Sequence, residues 1–104
     1  MVLKAAFIFT APGADPIKHR SVVTTPEVVL TTVGVADYRM AEEVAKSLVD
    51  EGIGAIELCG GFGIEGTAVV KKAVAGRAVV GVVRFDHHPG LEFRSGDDLF
   101  SHTG

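Results

Sequence analysis

The sequence predicts an α/β domain with a four-stranded, mainly parallel sheet and helices on both faces. Its order is β-α-β-α-β-α-β, half of a flavodoxin-like fold. Two observations carry this. Near-continuous apolar runs such as "LKAAFIFT" and "AVVGVVRF" have the character of strands covered on both sides, as in parallel sheets. These runs alternate with segments of helical period, and that alternation implies parallel strands joined by right-handed crossovers.

Leu3 to Thr10 is the first strand, closed by Pro12 and Gly13. Asp15 as N-cap and Pro16 at the first helical position predict a short helix over 16–23. Thr25 before Pro26 stops it, because a residue preceding proline is pushed out of the helical region. Glu27 to Val33, "EVVLTTV", is rich in β-branched residues and reads as the second strand. Asp37 caps "YRMAEEVAKSLVDE", in which Ala41, Val44, Ala45 and Leu48 recur at helical spacing while Glu42 and Lys46 pair on the wet face. Gly52 is placed to end that helix. Ile53 to Leu58 is the third strand, Ile64 to Ala75 the third helix ended by Gly76, and Ala78 to Phe85 the fourth strand. The predicted sheet order is 2-1-3-4, with the first crossover winding to one face and the later ones to the other.

Residues 1–86 form one domain on this reading. The tail, 87–104, has no period, yet Leu91, Phe93, Leu99 and Phe100 are too many large apolar groups for a solvated segment. It is expected to pack on the sheet edge or on a partner subunit. A chain of 104 residues removes only roughly 60–70% of its unfolded surface from water, so a homodimer or higher homo-oligomer is expected.

The net charge of −3 and the scattered Lys and Arg predict no nucleic-acid partner. No stretch approaches the ~20 apolar residues of a membrane helix. The single cysteine cannot form an internal disulfide and fits a reducing, cytoplasmic location.

In such folds ligands bind beyond the carboxyl ends of the strands. Four loops meet there: Thr10 to Asp15, Gly34 to Asp37, Cys59 to Gly63 and Asp86 to Gly90. "ELCGGFGIEG" follows a strand and opens a helix, and Gly61 to Gly66 is formally G-x-G-x-x-G, with Asp86 at the end of the next strand. Four strands lack the second half-domain that a dinucleotide needs, so no cofactor is expected. An anion on the helix N-terminus and a purely structural turn remain as readings. Cys59, at a strand end before that helix, is a candidate nucleophile or acid/base, or else a small buried hydrophobe. Asp86 with His87 or His88 offers an oriented acid/base pair; adjacent histidines diverge and chelate poorly, so no metal site is expected.

The leading expectation is therefore a small anionic organic ligand held by Gly60, Gly61, Phe62 and Gly63, assisted by Arg20 or Arg84. Cys59, Asp86 and His87 are the reactive candidates for its isomerisation, elimination or hydrolysis. The alternative is a non-catalytic ligand-binding or regulatory module using the same pocket.

The separated motifs "KAAFIF", "APGADP" and "KHR", then "ELCGGFG", then "VVRFD", resemble a family of short microbial proteins carried as a domain of unknown function. The resemblance spans most of the chain apart from the tail. It implies a stand-alone domain and carries no site residues with it.

Overall fold

β1 (Leu3–Thr10) is the centre of the sheet, flanked on one side by β3 (Val28–Val35) and on the other by β4 (Ala55–Leu58), both parallel to it. β5 (Val79–Val82) continues the parallel set beyond β4, and β2 (Arg20–Thr24) runs antiparallel along the outer side of β3. The full order is β2-β3-β1-β4-β5. α1 (Tyr38–Asp50) connects β3 to β4, α2 (Ile64–Val74) connects β4 to β5, and the short α3 (Gly96–Phe100) lies in the tail. This computed structural model describes residues 2–85 and 87–101.

The sheet thus has five strands, where four were expected. The extra strand replaces the helix predicted over 16–23. Asp15 does begin a turn: its Oδ1 accepts the N–H groups of Ile17 (2.8 Å) and Lys18 (3.3 Å), and His19 N–H reaches the Asp15 carbonyl at 2.7 Å. One turn is as far as it goes. A helix that short is marginal in water, whereas the β-branched Val22, Val23 and Thr24 find a full antiparallel ladder on β3. Thr25 closes the hairpin, its hydroxyl accepting from Val28 N–H at 3.0 Å and donating to Val28 O at 3.1 Å.

The four parallel strands keep the expected order, with β3, β1, β4 and β5 in place of 2-1-3-4. The helices do not cover both faces. From β3 to β4 and from β4 to β5 the chain moves in one direction across the sheet, so right-handed crossovers put α1 and α2 on the same side. The element that would have covered the other face is β2, a strand. The fold is accordingly a two-layer α/β arrangement rather than half a flavodoxin.

α1 forms as its sequence requires. Asp37 Oδ1 accepts the Met40 N–H at 2.8 Å, and Ala41, Ala45 and Leu48 are fully buried. They pack with Ala6, Ile8, Val33, Val35, Ile56 and Leu58 from alternate sheet positions and with Val70 and Val74 of α2 in one core. Each such Val, Leu or Ile contributes about 1.5–3 kcal/mol on burial. The intervening sheet positions face away from the helices: Leu3 is 45% and Val79 70% exposed, and Phe7, Phe9 and Leu30 are half-buried.

Candidate functional site at the carboxyl ends of β1 and β4

Connections leave β1 toward β2 and β3, and leave β4 toward β5, so the crevice where they part lies beyond the carboxyl ends of β1 and β4. Thr10 ends β1 and Cys59 follows β4. Cys59 is half-buried, and its Sγ accepts the N–H of Gly61 at 3.2 Å and of Thr10 at 3.4 Å. Thr10 Oγ1 lies 3.6 Å from the same sulfur, with either atom able to donate.

The glycine loop turns over this pair into α2. Phe62 is wholly buried and stacks on Tyr38, ring centroids 5.4 Å apart, so its side chain belongs to the core rather than to a ligand surface. Gly63 occupies the N-cap position of α2 and offers no capping side chain. A carboxylate from the tail does that work. Asp97 Oδ2 accepts Glu65 N–H at 3.2 Å and Oδ1 accepts Gly66 N–H at 3.2 Å. The negative charge sits where the helix dipole favours it.

Tyr38, the first residue of α1, ties the loop to the tail. Its hydroxyl accepts Gly63 N–H at 3.0 Å, and its proton is shared between Asp97 Oδ1 at 3.0 Å and the Gly61 carbonyl at 3.2 Å. Burial, then the neighbouring Asp97 carboxylate, push this hydroxyl well above its ordinary pKa of 10.0. A side chain at Gly63 would meet the Asp97 carboxylate, and one at Gly96 would meet the Gly61 carbonyl. Glycine at both places lets loop and tail close on each other.

The tail therefore lies over the start of α2, with Phe100 buried beside Tyr38 at a centroid distance of 6.4 Å. Ser95 caps α3 by accepting Asp97 N–H at 3.2 Å. On its way the chain passes Gly60, against which Phe85 and His88 are packed, their rings 4.4 Å apart. His88 Nδ1 accepts Gly90 N–H at 2.9 Å. Between Pro12 and the tail there is a cleft of about 350 Å³, lined by Leu91, Leu99 and Phe100 together with Arg94 and Glu92.

The expected site residues divide. Cys59, Gly60, Gly61 and Gly63 are brought together. His87 is exposed, and it is His88 that reaches the loop. Asp86 lies outside the described residues. Arg84 follows β5, exposed, with its guanidinium donating to the Phe85 carbonyl. Arg20 opens β2, which β3 and β1 separate from β4, and pairs with Glu51 at 3.1 Å. Among the described residues no three His, Cys, Asp or Glu side chains gather as metal ligands would, and no helix is long and apolar enough to cross a membrane.

Sequence reasoning missed Thr10, Tyr38 and Asp97. Only Asp97 carried a signal, since "SGDD" places a helix cap and acidic first-turn residues in a tail that otherwise lacks period.

Comparison with curated proteins and with solved structures finds no match to either. A family model does match, over residues 3–98, and so takes in most of the tail to which the motif resemblance did not extend. The chain belongs to that family, the family of unknown function DUF6506.

Proposed function

We propose that the protein binds a small organic acid at the carboxyl ends of β1 and β4, in the cleft between Pro12 and the tail. The observation that carries this reading is the cleft itself: about 350 Å³, walled by Leu91, Leu99 and Phe100, with Arg94 among its lining groups. Ligand sites are mostly apolar concavities with a few polar groups that fix orientation, and a guanidinium suits a carboxylate. Arg94 takes the part first given to Arg20 and Arg84. Cys59, hydrogen-bonded to two backbone N–H groups at the start of the glycine loop, is not among the groups lining the cleft. It is the reactive candidate, for isomerisation, elimination or hydrolysis, only for an acid that extends past them to its sulfur.

Native mass spectrometry of the purified chain, together with melting in a panel of short-chain carboxylic acids, tests the binding. A retained small acid, or a rise in melting temperature that Arg94→Ala abolishes, is expected. No retained mass and no acid that raises the melting temperature overturn it. For the catalytic part, Cys59 should react with iodoacetamide faster in the native chain than in urea; a native rate no faster removes the nucleophile.

A second reading is favoured by Asp97. The amides of α2 that would cradle an external anion already hold a carboxylate of the same chain. That occupancy suits a non-catalytic binding or regulatory module, and ligand binding without thiol reactivity would select it.

A further inference from the structure

We infer that the sheet face turned away from α1 and α2 is the seat of a second copy of this chain, packed face to face in a two-fold dimer. The inference stands whether or not the β1 and β4 ends bind a ligand. Parallel sheets occur almost only with both faces covered, because their strands carry apolar residues in both directions. Here β1 reads "LKAAFIFT", and only Ala6 and Ile8 of its apolar residues point into the core shared with the helices. Leu3, Phe7 and Phe9 point the other way, in register with Val28, Thr32 and Gly34 of β3. Val23 of β2, paired with Leu30, extends this face to one edge, and Val79 of β5, in register with Ala55, extends it to the other. Val23 is 56% and Val79 70% exposed. The described part of the tail, 87–101, does not cover them, being committed to the start of α2 through Asp97 and Phe100.

Two features single out a second copy as the occupant. The first is area. Five strands about 4.8 Å apart, the longest of eight residues at about 3.3 Å each, make a footprint of order 20 Å by 20 Å. That is roughly 400 Å² in projection, and the side chains standing on it raise the accessible area toward the ~800 Å² per partner that stable interfaces bury. Two such sheets pack about 10 Å apart with their strands nearly aligned.

The second feature is charge. The central strand separates two charged side chains of opposite sign, Glu57 and Lys18. Glu57 lies on the β4 side, in the row of Phe7 and Thr32. Lys18 and His19 line a hollow with Phe9, Ser21 and Thr32 on the β2 and β3 side. A two-fold axis parallel to β1 carries each side of one copy over the opposite side of the other. Lys18 of each copy then faces Glu57 of its partner, twice, while the apolar residues meet at the centre. Such complementarity fixes register as well as partner.

Light scattering on the eluting wild-type chain at micromolar concentration is expected to give twice the 10.9 kDa chain mass. Val23→Lys with Val79→Lys, both at exposed positions, should leave the far-UV circular dichroism unchanged and raise the dimer Kd on the order of 100-fold, by placing like charges on facing surfaces. Ile64→Lys, at an exposed apolar position on α2 away from this face, should leave the dimer intact. Glu57→Lys should weaken association and Lys18→Glu in the same chain should restore it. A wild-type chain that stays at 10.9 kDa at every concentration overturns the inference, including one that pellets with phosphatidylcholine vesicles instead. So does a dimer unmoved by the paired lysine substitutions, or one that Ile64→Lys disrupts equally.

Discussion

The Tyr38 hydroxyl lies 3.0 Å from Asp97 Oδ1 and 3.0 Å from the Gly63 nitrogen, joining the first residue of α1 to the tail and to the start of α2 in one hydrogen-bonded knot. The carboxylate at its centre also accepts two N–H groups of α2. Each partner of this knot can be removed separately.

Asp97→Ala should cost about 2 kcal/mol in urea unfolding, because it strips the cap from α2 and leaves the tyrosine hydroxyl without its carboxylate. The uncovered N–H groups then accept an outside anion. Sulfate should raise the melting temperature of Asp97→Ala by more than that of the wild type at matched ionic strength. An equal rise in both would mean that these groups are not open to solvent in the variant. Asp97→Asn, which keeps an acceptor oxygen, should lose less.

The chain has one tyrosine and no tryptophan, so phenolate absorbance near 295 nm reports Tyr38 alone. Its folded pKa is raised above the 10.0 of an exposed tyrosine, chiefly by burial. Between the unfolded and the folded value the native state keeps a proton that the unfolded state has lost, so stability falls as pH rises through that window. Urea stability should be level through neutral pH and decline above about pH 10. The phenolate signal should appear together with unfolding. Tyr38→Phe should remove the alkaline decline while costing about 1–3 kcal/mol at neutral pH through the lost hydroxyl partners.

Gly96→Ala places a methyl group against the Gly61 carbonyl, a backbone atom that cannot step aside. The expected cost is about 1–3 kcal/mol, typical of an overpacked contact. The loss should be confined to the tail and the start of α2: hydrogen exchange should quicken at Glu65 and Gly66 and stay slow in β1 and β3. Uniform loss of protection would show that α3 and the sheet unfold as one unit.

Arg20→Ala should change stability by less than about 1 kcal/mol, since its pair with Glu51 is substantially exposed. It should leave retention of any small acid unaltered, in contrast to Arg94→Ala. Loss of the ligand in Arg20→Ala would return that arginine to the site.

How much of this was legible depended on whether the deciding contacts were local. α1 was readable because its cap, Asp37, and its buried stripe, Ala41, Ala45 and Leu48, sit within a few residues of one another. β1 was readable from its composition. The stretch 16–23 misled because Asp15 and Pro16 do start a turn, and only β3 makes the following residues a strand. That misreading also hid the bare face, since the imagined helix would have covered it. At the site, the sequence located the glycine loop and Cys59. It could not show that Asp97 returns to the start of α2, because no spacing rule connects residues so far apart. An external anion and a structural turn were both open readings of the glycines, and the group that caps α2 in the fold is a carboxylate of the chain itself.

Asp97 is in effect a tethered ligand. The segment between Val82 and Asp97 holds its carboxylate near the α2 amides at an effective concentration on the order of millimolar or more. A free carboxylate of the same intrinsic affinity has to exceed that figure before it can take the same amides. A multiply charged or bidentate anion, or a partner that pulls the tail aside, changes that competition. The closure of this end of the sheet is thus a threshold, set jointly by the tether and by how much more tightly an outside anion holds the amides than Asp97 does.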